Sequence, residues 1–219
     1  MPSRARPRAR KRAQGAEPSG PRRRIPKQAR ARERVGRILD AARLELEVKP
    51  VAEITIEGIA ARAGVPVGSV YQYFSSKVAL LAAVAETVMD ETDAESARQL
   101  AESRALPWRD AVDRVVDATF GFLLARPDYH MLLRSIRFTP EFAAVSAASN
   151  DRMAGLMALH PAFGRAGLAR DKALVICRTI ITAANALQDR ALSEEQPDFE
   201  VLVEETKRLA IGYLATYLG

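Results

Sequence analysis

The run from Ile54 to Lys77, ITIEGIAARAGVPVGSVYQYFSSK, constrains this chain more than any other stretch. It predicts two short helices joined by a tight glycine turn. Thr55 is placed to cap the first helix, its hydroxyl accepting from an orphan N–H of the first turn. The cap is not a full capping box, because Gly58 stands three residues on in place of Glu or Gln. Ile56, Ile59, Ala60 and Ala63 then recur at helical spacing. Gly64 follows where helices commonly close on a left-handed residue, a shape glycine adopts without strain. Pro66 suits the opening of a second helix, where its missing N–H would be unpaired anyway. The segment Val67 to Phe74 is too short to be stable alone. Val70 and Phe74, four apart, pin it to the first helix. That leaves Val67, Gly68, Ser69, Tyr71, Gln72 and Tyr73 outward or at the edges. A short outward helix held across a tight turn is the geometry that enters a DNA major groove. Phenol and amide groups can bond to phosphates or base edges, and Gly68 lets backbone and DNA approach closely.

These residues carry a resemblance. The run T-x-x-x-I-A-x-x-A-G-V, then V-G-S-V-Y-x-Y-F, then S-K-x-x-L-L resembles the DNA-binding domain of the tetracycline-repressor-like (TetR) regulators. Here it falls on Thr55, Ile59, Ala60, Ala63 to Val65, Val67 to Phe74, Ser76, Lys77, Leu80 and Leu81. The motif covers roughly residues 30–91. Two positions depart from it. Pro66 stands where the family often has Ser or Thr, and Val78 where an acidic residue often follows the Lys. The resemblance implies that Tyr71, Gln72, Tyr73 and Lys77 hold phosphates, joined by Thr55. It implies that Val67, Gly68, Ser69 and Tyr71 approach base edges.

Charge is distributed in agreement with a DNA end. The net charge of +6 divides into +8 over residues 1–26, +3 over 27–80 and −5 over 81–219. Residues 1–26 are rich in Arg, Pro, Gly and Ser with little to bury, and read as a disordered basic arm. The arm is either a polar leader or a phosphate-neutralising extension. Residues 27–91 read as the helix-turn-helix domain and 92–219 as a helical ligand-binding and dimerisation domain. Within 27–48, Val35, Ile38, Leu39, Ala42 and Leu46 form one buried stripe. Arg30, Arg32, Arg34 and Arg37 crowd the start of that helix, against its macrodipole. They are either a solvated face or phosphate contacts. Ser76 caps a long helix to about Glu102 whose acidic half (Asp90, Glu91, Asp93, Glu95) reads as solvent-exposed.

The rest also predicts only helices, so the fold class is all-α. Trp108 to Leu124 forms one helix, and Asp128 caps a short one to Arg137. Thr139-Pro140 opens another to about Leu159, and His160 to Gly167 reads as a loop. Asp171 to Leu192 and Asp198 to Leu218 complete the chain. The breadth of apolar surface on those last two helices fits packing both inward and against a partner. The first carries Ile176, Ile180, Ala183, Ala184 and Leu187. The second carries Leu202, Leu209, Tyr213 and Tyr217. The resemblance implies a homodimer through these two helices and a ligand pocket among the middle ones. Candidate lining residues are Phe120, Leu123, Tyr129, Phe138, Phe142, Met153, Met157, Cys177 and Asn185. His130 and Arg134, one turn apart, form either an anion site or a surface pair. A buried Asn185 amide must be hydrogen-bonded, to a ligand, a symmetry mate or the backbone.

The single Cys177 excludes an internal disulfide, and with two histidines there is no metal cluster to expect. No cofactor is called for. No apolar run is long enough to span a bilayer and no secretory signal opens the chain, so the expected location is cytoplasmic. No catalytic constellation supports an enzyme. The expected function is a repressor of double-stranded DNA, released from a palindromic operator by an unknown small-molecule effector. The alternatives are an activator or effector-independent regulator, and a non-specific DNA-coating protein.

Overall fold

The computed structural model describes residues 29–191 and 198–219. The basic arm at 1–26 lies outside them, as does Leu192, the expected end of the ninth helix. Among the described residues the chain is all-α, with ten α-helices and no strand. Helix α1 (Ala29–Val48) is followed by a short 3-10 turn (Val51–Glu53), then α2 (Ile56–Ala63), α3 (Val67–Tyr71) and α4 (Lys77–Glu102). The body holds α5 (Trp108–Leu124), α6 (Pro127–Ile136), α7 (Pro140–Met157), α8 (Pro161–Arg165), α9 (Arg170–Ala191) and α10 (Phe199–Leu218).

Local chemistry sets most boundaries. Thr55, Ser76, Thr139 and Asp198 each accept a backbone N–H with the side-chain oxygen, capping α2, α4, α7 and α10. Gly64 closes α2 at a φ of +64°. Pro66 is the residue before α3, not its first helical one, and its carbonyl accepts from Ser69 N at 2.8 Å.

Four expectations are corrected. The segment after His160 is not a loop but α8, because His160 Nδ1 accepts from Ala162 N at 3.3 Å and proline follows. Asp128 does not cap α6; it lies inside the first turn and turns its carboxylate to Arg126 and Arg43. Helix α7 ends at Met157, two residues early. The acidic half of α4 is only partly a solvated face: Asp90 is exposed, while Glu91, Asp93 and Glu95 are half-buried. Glu91 pairs with Arg43 and Arg126, and Asp90 and Asp93 pair with Arg152.

One core joins the head to the body. Ile38, Leu46, Ile59, Val70, Phe74, Leu80 and Val84 are buried together. The same cluster continues through Val88 and Met89 to Leu132, Leu133 and Ile136 of α6. A second core gathers Phe163, Ile176, Cys177, Ala210 and Leu214, with Trp108 against it. Each fully buried Ile or Leu contributes roughly 1.5–3 kcal/mol of transfer free energy. Helix α4 packs on α1, α5, α6 and α7, while α10 packs on α5 and α9. The expected division at residues 91 and 92 therefore falls inside α4, a helix that both halves share.

Candidate functional site

Helix α3 is held by the two residues the spacing singled out. Val70 is fully buried and Phe74 nearly so. Tyr71 is 52% exposed, and Gln72 and Gly68 are exposed beside it. Nothing lies within 4 Å of where a Gly68 Cβ would stand, so this surface is open. Val67 and Tyr73 are only partly available, because both pack against the head core, and Ser69 is half-buried. The Thr55 hydroxyl oxygen accepts from Gly58 N at 3.0 Å, which leaves its O–H as a donor. Lys77 Nζ donates to the Val51 carbonyl. That bond ties the start of α4 to the 3-10 turn and leaves the ammonium two further donors. Arg30, Arg32 and Arg37 are exposed on the first half of α1.

Two ionic groups fix this head. Glu45 is 4% exposed and takes Arg62 Nε at 2.6 Å and Lys49 Nζ at 2.7 Å, joining α1 to α2. Hydrogen bonds from Lys49 and then Arg62 hold its pKa below the ordinary carboxylate value. At the junction with the body, Arg43 of α1 lies 3.2 Å from Glu91 of α4 and 3.4 Å from Asp128 of α6. Arg126 bonds to both carboxylates as well. Burial raises the Asp128 pKa, but Arg126 and Arg43 outweigh it and hold the carboxyl below its usual range.

The body holds a partly open cavity of about 200 Å³ between α4, α5, α6, α7, α9 and α10. Of the expected residues, Phe120, Leu123, Tyr129 and Phe142 line it, as do Met153, Met157 and Asn185. Two do not. Phe138 is 84% exposed in the turn between α6 and α7, with the Arg137 guanidinium over its ring. Cys177 faces the second core, where burial pushes its thiol up to about 12, so it is a small core side chain and not a reactive thiolate. Asn185 Nδ2 donates to Asn150 Oδ1 at 3.1 Å. His130 is half-buried and stacks on Phe199, and burial lowers its pKa. No group of His, Cys, Asp and Glu able to hold a metal occurs among the described residues.

Comparison with known proteins places this arrangement. Residues 38–84 match the bacterial regulatory proteins of the tetR family, and 107–214 match the tetracyclin repressor-like C-terminal domain. The chain belongs to the TetR family. Members of that family are non-enzymatic DNA-binding transcriptional regulators, and this chain is a TetR-family regulator. A TetR-family transcriptional regulator from Streptomyces coelicolor has a similar structure. Its TM-score is 0.63 at 25% identity, covering 86% of this chain and 99% of that one. A TetR transcriptional regulator from Rhodococcus sp. RHA1 gives 0.64 at 22% identity over 86% and 98%. The TetR family repressor AlkX from Dietzia sp. strain DQ12-45-1b gives 0.57 at 15% over 84% and 98%. No curated protein matches the chain.

In this TetR-family chain, α9 and α10 bury Ile176, Ile180 and Leu202 inside their own subunit. Outward on them stand Val175, Thr179, Thr182 and Ala186 of α9 and Val201, Gly212 and Thr216 of α10, together with the charged Arg178, Glu204, Glu205 and Arg208. Sequence reasoning missed most polar lining of the cavity, including Thr92, Asp93, Ser96, Thr119, Ser149 and Thr206. Hydroxyl residues at apolar helical spacing were the signal. Thr92, Thr119 and Thr206 each donate to the carbonyl four residues back, which lets a polar residue sit on an apolar face. No helix among the described residues is long and apolar enough to cross a membrane.

Proposed function

We propose that the chain is a homodimeric repressor that binds a palindromic operator through α3 and leaves it when a small molecule fills the body cavity. Helix α4 is the single observation that carries this reading. Its first half, through Leu80, Leu81 and Val84, belongs to the head core under α3. Its second half, through Met89, Thr92, Asp93 and Ser96, lines the cavity. A ligand that favours one setting of α4 therefore acts on the position of the head. It does so only by its difference in affinity for the two settings.

The open surface of Gly68 and Tyr71 supports the base-reading role, with Thr55, Gln72, Tyr73 and Lys77 flanking it for phosphates. Val67 and Ser69 are nearer the edge of that face. A single short helix reads few base pairs, while two heads one helical turn apart read a palindrome. The outward α9 and α10 faces support the dimer, with Val175 and Val201 more than half exposed in the monomer. The similar fold of AlkX, a repressor, agrees with repression.

Tyr71→Ala tests the reading face. The variant retains wild-type stability, because Tyr71 is 52% exposed, and loses operator affinity by about 10–100-fold, as for the loss of a 1–3 kcal/mol contact. A titration against operator DNA checks it. Wild-type affinity would refute the assigned face.

A further inference from the structure

The effector's chemical class can be read from the cavity and a second chamber beside it; this inference rests on the effector role given above. Among the described residues, no Lys, Arg or His lines the cavity. Its one carboxylate, Asp93, is already engaged. Ser149 Oγ donates to it at 2.9 Å and Arg152 Nη2 at 2.8 Å. An anion would meet no cation there, and a cation would have to displace Arg152. Burying an unpaired charge costs several kcal/mol. The Asn150 and Asn185 amides keep hydrogen-bonding capacity beyond the bond they share.

The second chamber, about 80 Å³, is walled by Trp108, Val112, Phe163 and Leu214. Val115, Val116, Met157, Ile180 and Ala210 line both chambers and so form the partition between them. Met157 is unbranched and flexible, which suits a partition that yields. His160 lines the second chamber. It is 8% exposed, with its ring turned to the Ser103 backbone. Its Nδ1 accepts from Ala162 N, so Nε2 carries the proton of the neutral ring. Neither chamber is roomy alone. A dry cavity of ~150 Å³ holds a benzene, and drug-sized ligands occupy ~300 Å³ or more.

We infer that the effector is an uncharged, elongated, mostly apolar molecule. Its hydrogen-bonding group lies beside Asn150 and Asn185, and its arm passes Met157 toward Trp108.

Trp108 is the only tryptophan of the chain, so its emission reports the second chamber. The full chain is titrated with 1-butanol, 1-octanol, 1,8-octanediol, octanoate and octylammonium, following emission and Tm. Octanol and the diol shift the emission saturably and raise Tm, while butanol raises Tm without moving the emission. Octanoate and octylammonium bind at least ten-fold more weakly. Val112→Phe, which fills the second chamber, removes the emission response to octanol. Binding of either ion as tightly as octanol would overturn the inference, as would a Tm rise from octanol with unmoved emission. A saturable octanol response that leaves operator affinity unchanged upholds the chemistry of the chambers and overturns their role in release.

Discussion

Glu45 shows how one side chain governs the head. Its buried carboxylate joins α1 to α2 through Lys49 and Arg62, both of which still reach solvent. Its folded pKa lies below the ordinary value of 4.5. The stability it supplies is therefore present above about pH 4.5 and is lost as the pH falls through the folded pKa. Glu45→Gln should cost about 1–2 kcal/mol at pH 7, less than the 3–5 of a fully buried pair because its partners are hydrated. Urea unfolding at pH 7 and in acid checks this: wild type and variant differ at pH 7 and converge in acid. Single residues with local roles were legible before the fold. Thr55, Gly64, Ser76 and Thr139 act on backbone within four residues, so their neighbours in sequence define them. Cys177 was misplaced because nothing nearby in sequence says which way a side chain on a crowded helix turns, and Phe138 because it falls in the exposed turn between α6 and α7. The distant partners, Arg62 of Glu45 and Arg43 of Asp128, were invisible because they come from other helices.

Among the elements, α4 matters most, and its partners are what the sequence could not show. The run of acids from Asp90 to Glu95 read as a solvated face, yet Arg43, Arg126 and Arg152 come to it from α1, α5–α6 and α7. Helix starts were legible where a cap and a proline announced them, as at α7. The same signal at His160-Pro161 was passed over because histidine is an uncommon cap. The cluster of Arg43, Glu91, Arg126 and Asp128 bridges head and body at the middle of α4, between the operator face and the cavity. Arg43→Met keeps the packing of its stem and removes the bridge. The expected result is operator binding within about two-fold of wild type, with effector-driven release weakened from the 5–150-fold typical of allosteric coupling toward none. Operator titrations with and without a bound effector measure it.

For the whole molecule, the proposal joins two heads, one dimer and one mobile coupling. If the strongly basic stretch at residues 1–26 neutralises phosphates, it adds a term that is independent of sequence. Removing it should weaken binding to all DNA and flatten the salt dependence of log K by close to the number of phosphates the arm neutralises. An unchanged slope in a salt titration would show that the arm does not touch DNA. The all-α class and the head were legible because a dozen residues in one short run serve local geometry. The shape of the body was not, because a cavity is defined by six helices meeting and by which hydroxyls they can tolerate inside. The most direct test of the central claim is selection of genome fragments by the purified full chain at one fixed, physiological salt concentration. The account predicts recovery of a palindromic site, bound with two copies of the chain and lost with Tyr71→Ala. Recovery of all fragments alike would contradict it, and would mean that charge and not α3 chooses the DNA.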